Sequence, residues 1–177
     1  MLNALLLAGA LLAGQDAERV VGVRAQGNTI SAEADIVIVA DHGMASTSRD
    51  RVVFIEDLVE AEAARGVGQY VILGAGVDTF AQRRPELASR LQVFEVDQPN
   101  PQAWKRQRLV QLGYGVPEHL RFVPVDFEAG EAWWDRLAAA GFDASRPAFV
   151  ASTGVSMYLT REAVFATLQR IASLAPC

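Results

Sequence analysis

The sequence predicts an α/β fold built on a parallel sheet with helices on both faces. Three observations carry this expectation. Short β-branched and apolar runs alternate with longer segments of helical periodicity along most of the chain. Glycines stand where three of the helical patterns stop, at Gly66, Gly113 and Gly141. Strands separated by helices need crossover connections, and a crossover pairs its strands in parallel.

Composition bounds the rest. The 177 residues make one domain or part of one. Hydrophobic residues are 51% and charged residues 21%, enough apolar side chain for a buried core, which excludes a disordered chain. A net charge of −5 makes the protein a poor partner for phosphate backbones, so no nucleic-acid partner is expected. The one cysteine, Cys177, can form no internal disulfide and no Cys-rich zinc site. His42 and His119 are the only histidines, leaving little for a metal centre or a His-based triad.

The elements follow in order. Met1 to Gly14 is almost wholly apolar but shorter than the ~20 residues of a membrane-spanning helix. No Lys or Arg precedes it, so a core-facing helix is favoured over a secretory signal ending near Ala17. The location expected is then cytoplasmic, with no membrane partner. Ile36 to Ala40 reads as a buried strand closed by Asp41-His42-Gly43. Arg51 to Arg65 is helical, with Val52, Ile55, Leu58, Val59 and Ala63 on one side and Gly66 as its stop. Tyr70 to Leu73 is a second strand that runs straight into Gly74-Ala75-Gly76-Val77-Asp78. Thr79 to Arg90 is mostly helical, interrupted at Pro85. Leu91 to Val96 is a third strand, closed by the loop Asp97-Gln98-Pro99-Asn100-Pro101. A helix from Gln102 to Leu112 precedes a fourth strand, Leu120 to Val125. A helix from Glu131 to Ala140 leads to a fifth strand, Pro147 to Ala151. The last helix, Arg161 to Leu174, is capped by Thr160.

The glycine turn is the first chemical signal. Gly74 and Gly76 bring bare backbone close to whatever sits at the strand's carboxyl end. About twenty residues on, a second strand ends in Asp97, whose carboxylate can accept both hydroxyls of a ribose. Together these describe a nucleoside site at the ends of adjacent parallel strands. Asp78 stands close to where a dinucleotide motif has its third glycine, and would repel a pyrophosphate. It suits a cofactor with no phosphate and a positive charge, such as S-adenosylmethionine. His119 reads as a surface turn residue, Trp133 and Trp134 as packing, and Arg83-Arg84 as a solvated face.

Four ordered blocks extend this signal. They are Leu73-Gly74-Ala75-Gly76-Val77-Asp78-Thr79, Val93-Phe94-Glu95-Val96-Asp97-Gln98-Pro99, Phe122-Val123-Pro124-Val125-Asp126-Phe127 and Gly154-Val155-Ser156-Met157-Tyr158-Leu159-Thr160. Over roughly Arg51 to Pro176 the chain resembles the leucine carboxyl methyltransferase family, class I S-adenosylmethionine-dependent enzymes, here of the bacterial type. The resemblance implies a Rossmann-like methyltransferase fold. It implies that Gly74 and Gly76 lie against the methionine and ribose, that Asp97 holds the ribose hydroxyls, and that Asp126 and Phe127 flank the adenine. Arg51 matches an arginine that can pair with the cofactor carboxylate. Thr153 stands where a Glu commonly precedes the Gly-Val block, so a hydroxyl replaces a carboxylate there. The resemblance also implies a methyl acceptor that is a small molecule or bears a carboxylate. An ionised carboxylate is already nucleophilic, so alignment and water exclusion would suffice without a strong base.

The resemblance implies a seven-stranded sheet, of which four strands follow Gly66. The expectation is therefore a partial domain over 51–177, truncated at its carboxyl end, preceded by an extension over 1–50 with an apolar helix and one strand. Pro147–Ala151 would be an open edge unless Asp35–Ala40 pairs with it. Residues 35–53, with Asp41-His42-Gly43 and Thr47-Ser48, are similar to a segment of the nucleotide pyrophosphatase/phosphodiesterase family. That likeness implies a zinc-binding Asp-His, although only His119 remains to complete a two-metal site. A non-catalytic truncated or chimeric fragment keeping a half-Rossmann shape, and a metal-dependent phosphodiesterase remnant, are the alternatives to a methyltransferase.

Overall fold

A computed structural model describes residues 36–41, 48–129, 133–155 and 158–172. The Met1–Gly14 segment, the His42-Gly43 turn, the Ser156-Met157 pair and the side chain of Arg51 lie outside the described residues. Five strands form one sheet: β1 (Ile36–Asp41), β2 (Gln69–Leu73), β3 (Gln92–Asp97), β4 (Leu120–Pro124) and β5 (Ala148–Thr153). The order is β1-β5-β2-β3-β4, and every pairing is parallel. The helices are α1 (Ser48–Ala64), α2 (Phe80–Arg83), α3 (Pro85–Ala88), α4 (Pro99–Gln111), α5 (Trp133–Ala139) and α6 (Arg161–Ala172). Among the described residues no helix is long and apolar enough to cross a membrane.

Strand alternation sorts the core into two layers. Tyr70, Ile72, Val93 and Phe149 face one way and pack with Ile55 and Val59 of α1 and with Phe80 and Leu87 of α2 and α3. Val71, Leu73, Phe94, Val96 and Val150 face the other way and meet Trp133, Leu137 and Ile171 of α5 and α6. Both faces are therefore covered, which explains why these strands read as continuous apolar runs rather than as alternating ones.

Several boundaries shift by one to three residues from the sequence reading, and two of the shifts have a physical account. Helix α4 starts at Pro99 rather than Gln102, because a proline at the first position already has helical φ and its missing N–H costs nothing there. Strand β5 continues to Thr153, and the extra residues pair with both neighbours: Ser152 with Leu73 and Thr153 with Asp41. Pro85 does split the third helical segment, into α2 and α3. Thr160 does cap α6, its Oγ1 accepting the Ala163 N–H at 3.2 Å.

The connections set up a crevice. From β2 the chain crosses to β3 and β4 on the α2–α4 side. It then returns past β2 to β5 through α5, on the opposite face. Adjacent strands β2 and β5 thus send their following segments to opposite faces, and the carboxyl ends between them form a topological switch point, where open α/β sheets bind ligands. Strand β1 lies along β5 with Val37 opposite Phe149, so the expected cover of that edge is present.

Candidate cofactor site

The turn after β2 is built on β3. The Gly74 and Ala75 N–H groups donate to the Val96 carbonyl at 2.8 and 3.3 Å. Gly74 and Gly76 have φ of +68° and +50°, a region that side chains other than glycine's occupy only at a cost. Gly76 points its N–H at Oδ2 of Asp97, the last residue of β3. The other carboxylate oxygen, Oδ1, accepts the Gln98 N–H at 2.6 Å. The Asp97 side chain therefore faces the glycine turn and is held between two backbone donors. A carboxylate has about four lone-pair sites, so two remain for further donors such as a pair of hydroxyls.

The two glycines differ in what surrounds them. A Cβ on Gly76 would meet nothing within 4 Å, so its backbone is open to close approach. A Cβ on Gly74 would stand 2.5 Å from Cβ of Val155. The bareness of Gly74 thus seats the loop after β5 on the turn, and its α-carbon faces protein. Asp126 and Phe127 follow β4, the strand beside β3, at the same end of the sheet as Asp97. The Val125 N–H donates to the Asp97 carbonyl at 2.8 Å, tying the two strand ends. Asp126 Oδ1 accepts the Glu128 N–H at 3.0 Å and closes a local turn. The Phe127 ring lies 6.3 Å from that of Trp133.

A cleft of about 150 Å³ opens on the other side of the turn, between β2 and β5. Its polar lining is Glu56, Asp78, Arg83 and Thr153, and Tyr70 and Phe80 supply aromatic walls. Of the residues assigned to the cofactor from the sequence, only Thr153 lines it, together with Asp78, which the sequence marked as unfavourable to a pyrophosphate. Val52 also does, one residue beyond Arg51 in α1. Arg83 and Arg84 are not a free solvated pair: Arg83 Nη2 stands 2.5 Å from Glu56 Oε1, and Arg84 Nη2 stands 2.6 Å from Glu60 Oε2. Asp78 Oδ1 accepts the Phe80 N–H at 2.7 Å and starts α2. Burial, then the charges of Asp78, Glu56 and Glu95, push the Tyr70 phenol well above its ordinary value, so it stays protonated.

Sequence reasoning passed over Glu56, Tyr70 and Arg83 as cleft residues, because their convergence depends on how α1 crosses β2. It also passed over a buried pair behind Asp97. Glu95 is 1% exposed and Lys105 is 4% exposed, and Lys105 Nζ donates to Glu95 Oε2. A signal existed in the chain. Glu95 is a charge inside an apolar strand, and Lys105 is the only lysine present. His119 sits at the start of β4, away from these strand ends, and its carbonyl accepts the Val93 N–H at 2.8 Å.

Comparison with known proteins identifies the family. The sequence pattern of the leucine carboxyl methyltransferase family matches residues 7–172. The chain belongs to the leucine carboxyl methyltransferase family. It is 43% identical over 124 residues to the "Putative S-adenosyl-L-methionine-dependent methyltransferase YktD" of Bacillus subtilis, covering 70% of this chain and 40% of that protein. A protein of Mycolicibacterium gilvum with the same methyltransferase description is 40% identical over 132 residues, 75% of this chain and 41% of its own length. One from Mycobacteroides abscessus is 35% identical over 139 residues, 77% and 44% of the two chains. The chain thus spans about two fifths of the length of these curated relatives. The family match runs through residues 35–53 as well, the stretch with phosphodiesterase likeness. Among the described residues no three His, Cys, Asp or Glu side chains are grouped to hold a metal.

Proposed function

We propose that this chain binds S-adenosylmethionine as part of a methyltransferase that O-methylates a carboxylate. The observation that carries the reading is the meeting of Asp97 with the Gly76 N–H at the carboxyl ends of two adjacent parallel strands. The residues fit the cofactor: the space beside Gly76 is open, and Asp97 keeps acceptor sites free. Asp97 would hold the ribose hydroxyls, with Gly74 and Gly76 forming the floor of the turn. Asp126 and Phe127 would border the adenine, and Arg51 would meet the cofactor carboxylate. Thr153 would offer its hydroxyl where the turn opens on the cleft. When bound, the cofactor supplies an electrophilic methyl group.

The chain's own part is alignment and exclusion of water. Ile55, Ile72, Phe80 and Ala151 give the cleft apolar walls beside its charged groups. A protonated Tyr70 serves as a donor, not a base. We further assign residues 51–177 to the cofactor-binding unit, residues 1–50 to an extension, and the whole to the cytoplasm. The names of the relatives, which specify dependence on S-adenosylmethionine, support the cofactor assignment.

Isothermal titration tests the reading. Wild type should bind S-adenosylmethionine with a Kd on the order of 10 μM, and Asp97→Ala should weaken it roughly 10- to 100-fold through loss of charge-assisted hydrogen bonds. Absence of heat for wild type at millimolar ligand would favour a non-catalytic domain that keeps only the shape.

A further inference from the structure

The site as described leaves one buried group unused. Lys105 and Glu95 form an ion pair whose side chains are 5% and 1% exposed. Glu95 Oε1 has no hydrogen-bond partner, and Lys105 Nζ stands 6.0 Å from the Phe122 ring centroid. Burying two charges carries a desolvation cost that mutual attraction often fails to repay, and apolar residues of similar volume commonly replace such pairs without loss of stability. Packing energy therefore gives a poor account of why the chain's single lysine is placed here.

Its location gives a better one. Glu95 lies two residues before Asp97, on the same face of β3. Helix α4 begins two residues after Asp97, and its buried inner face presents Gln102 and Lys105, three residues apart. Lys105 holds the Glu95 carboxylate, and Gln102 Nε2 donates to the Glu95 carbonyl at 2.8 Å. The chain thus makes a closed loop from strand to corner to helix and back to the strand. The corner inside that loop carries Asp97 and Gln98. Asp78 and Asp97 also bear electrostatically on Glu95, so the pair senses the charges at the corner.

We propose that Glu95 and Lys105 are positioning residues for Asp97: with Gln102 they lock the first turns of α4 to β3 and so fix the corner on which Asp97 faces Gly76. The consequence for cofactor affinity rests on the function proposed above; the positioning itself does not.

The test is amide hydrogen exchange on the ¹⁵N-labelled chain, with S-adenosylmethionine titration as a second readout. The variant is Glu95→Met/Lys105→Met, which removes both charges and leaves no polar side-chain atom of the pair orphaned. The Gly76 and Gln98 amides, both bonded to Asp97, report the corner, and the Val71 and Phe94 amides report the sheet. The expected result is a drop in protection of about tenfold at Gly76 and Gln98, with Val71 and Phe94 unchanged. Cofactor affinity should fall by about 3- to 10-fold, because a corner no longer held in advance must be ordered on binding. Unchanged protection at Gly76 and Gln98, or a drop shared equally by Val71 and Phe94, overturns the proposal. If wild type takes up no cofactor while the two corner amides still loosen, the function reading fails and the positioning stands. If wild type binds and the variant keeps both protection and affinity, the reverse holds. Should the double variant fail to fold, Gln102→Ala decides the matter, since it cuts the second tie and should loosen the same two amides.

Discussion

Gly74 and Gly76 look equivalent in the sequence, and the structure separates them. Both have positive φ, which costs a substituted alanine about 1 kcal/mol. Only at Gly74 would the new methyl also run into Val155. Gly74→Ala should therefore destabilise by roughly 2–4 kcal/mol and Gly76→Ala by about 1 kcal/mol, measured by urea unfolding. Equal losses would mean that Val155 yields freely. Glu95 supplies a second prediction at this scale. Burial raises its carboxyl from 4.5 to about 7, despite the opposing pull of Lys105. The folded protein then holds that proton more tightly than the unfolded chain does. The stabilising contribution is complete below the unfolded value and is lost as pH rises through the folded one. Unfolding free energy of wild type, less that of Glu95→Met/Lys105→Met, should fall between about pH 4.5 and 7 and level off above. A difference that rises over that window contradicts this. The nature of these residues was legible in the sequence; their neighbours were not. That Asp97 would face the turn followed from strand ends and spacing. That Val155 would fill the space over Gly74 depended on the loop after β5, which carries no local signal of its own.

Elements were legible where a local physical rule fixes them. Glycine stops, the break at Pro85 and the Thr160 cap all act within a few residues, and the structure has each where the pattern put it. The misread start of α4 was local too: Pro99 resembles a loop residue and is equally a helix starter. Long-range ties left no trace in the pattern. Gln69, 1% exposed at the head of β2, accepts the Asp143 N–H and donates to the Asp143 carbonyl, both at 2.8 Å. It pins the connection between α5 and β5 to a strand 74 residues away. Gln69→Ala would strand a backbone donor and acceptor, and should cost about 1–3 kcal/mol in thermal or urea unfolding. A loss under about 0.5 kcal/mol would show that solvent reaches Asp143 and satisfies it.

At the scale of the whole molecule, strand order makes the site. Parallel pairing was expected from alternation alone, but the order was not, because nothing local says that β5 inserts beside β2. That insertion creates the switch point, the cleft with Thr153, and an outer edge of β5 that β1 covers. Proline within β1 removes ladder donors, so Ile38→Pro/Val39→Pro should uncover that edge and produce higher-order species by light scattering. Scattering unchanged from wild type would mean that β5 is protected by other means. The central claim is narrower and concerns one corner of the sheet: the glycine turn and Asp97 hold the same adenosyl group. An ¹H–¹⁵N correlation spectrum recorded through a titration with S-adenosylmethionine addresses it most directly. The account predicts that the Gly76 and Gln98 amides shift first and furthest, saturate together, and cease to respond in Asp97→Ala. Shifts confined to other parts of the chain, or the same shifts in Asp97→Ala as in wild type, would contradict it.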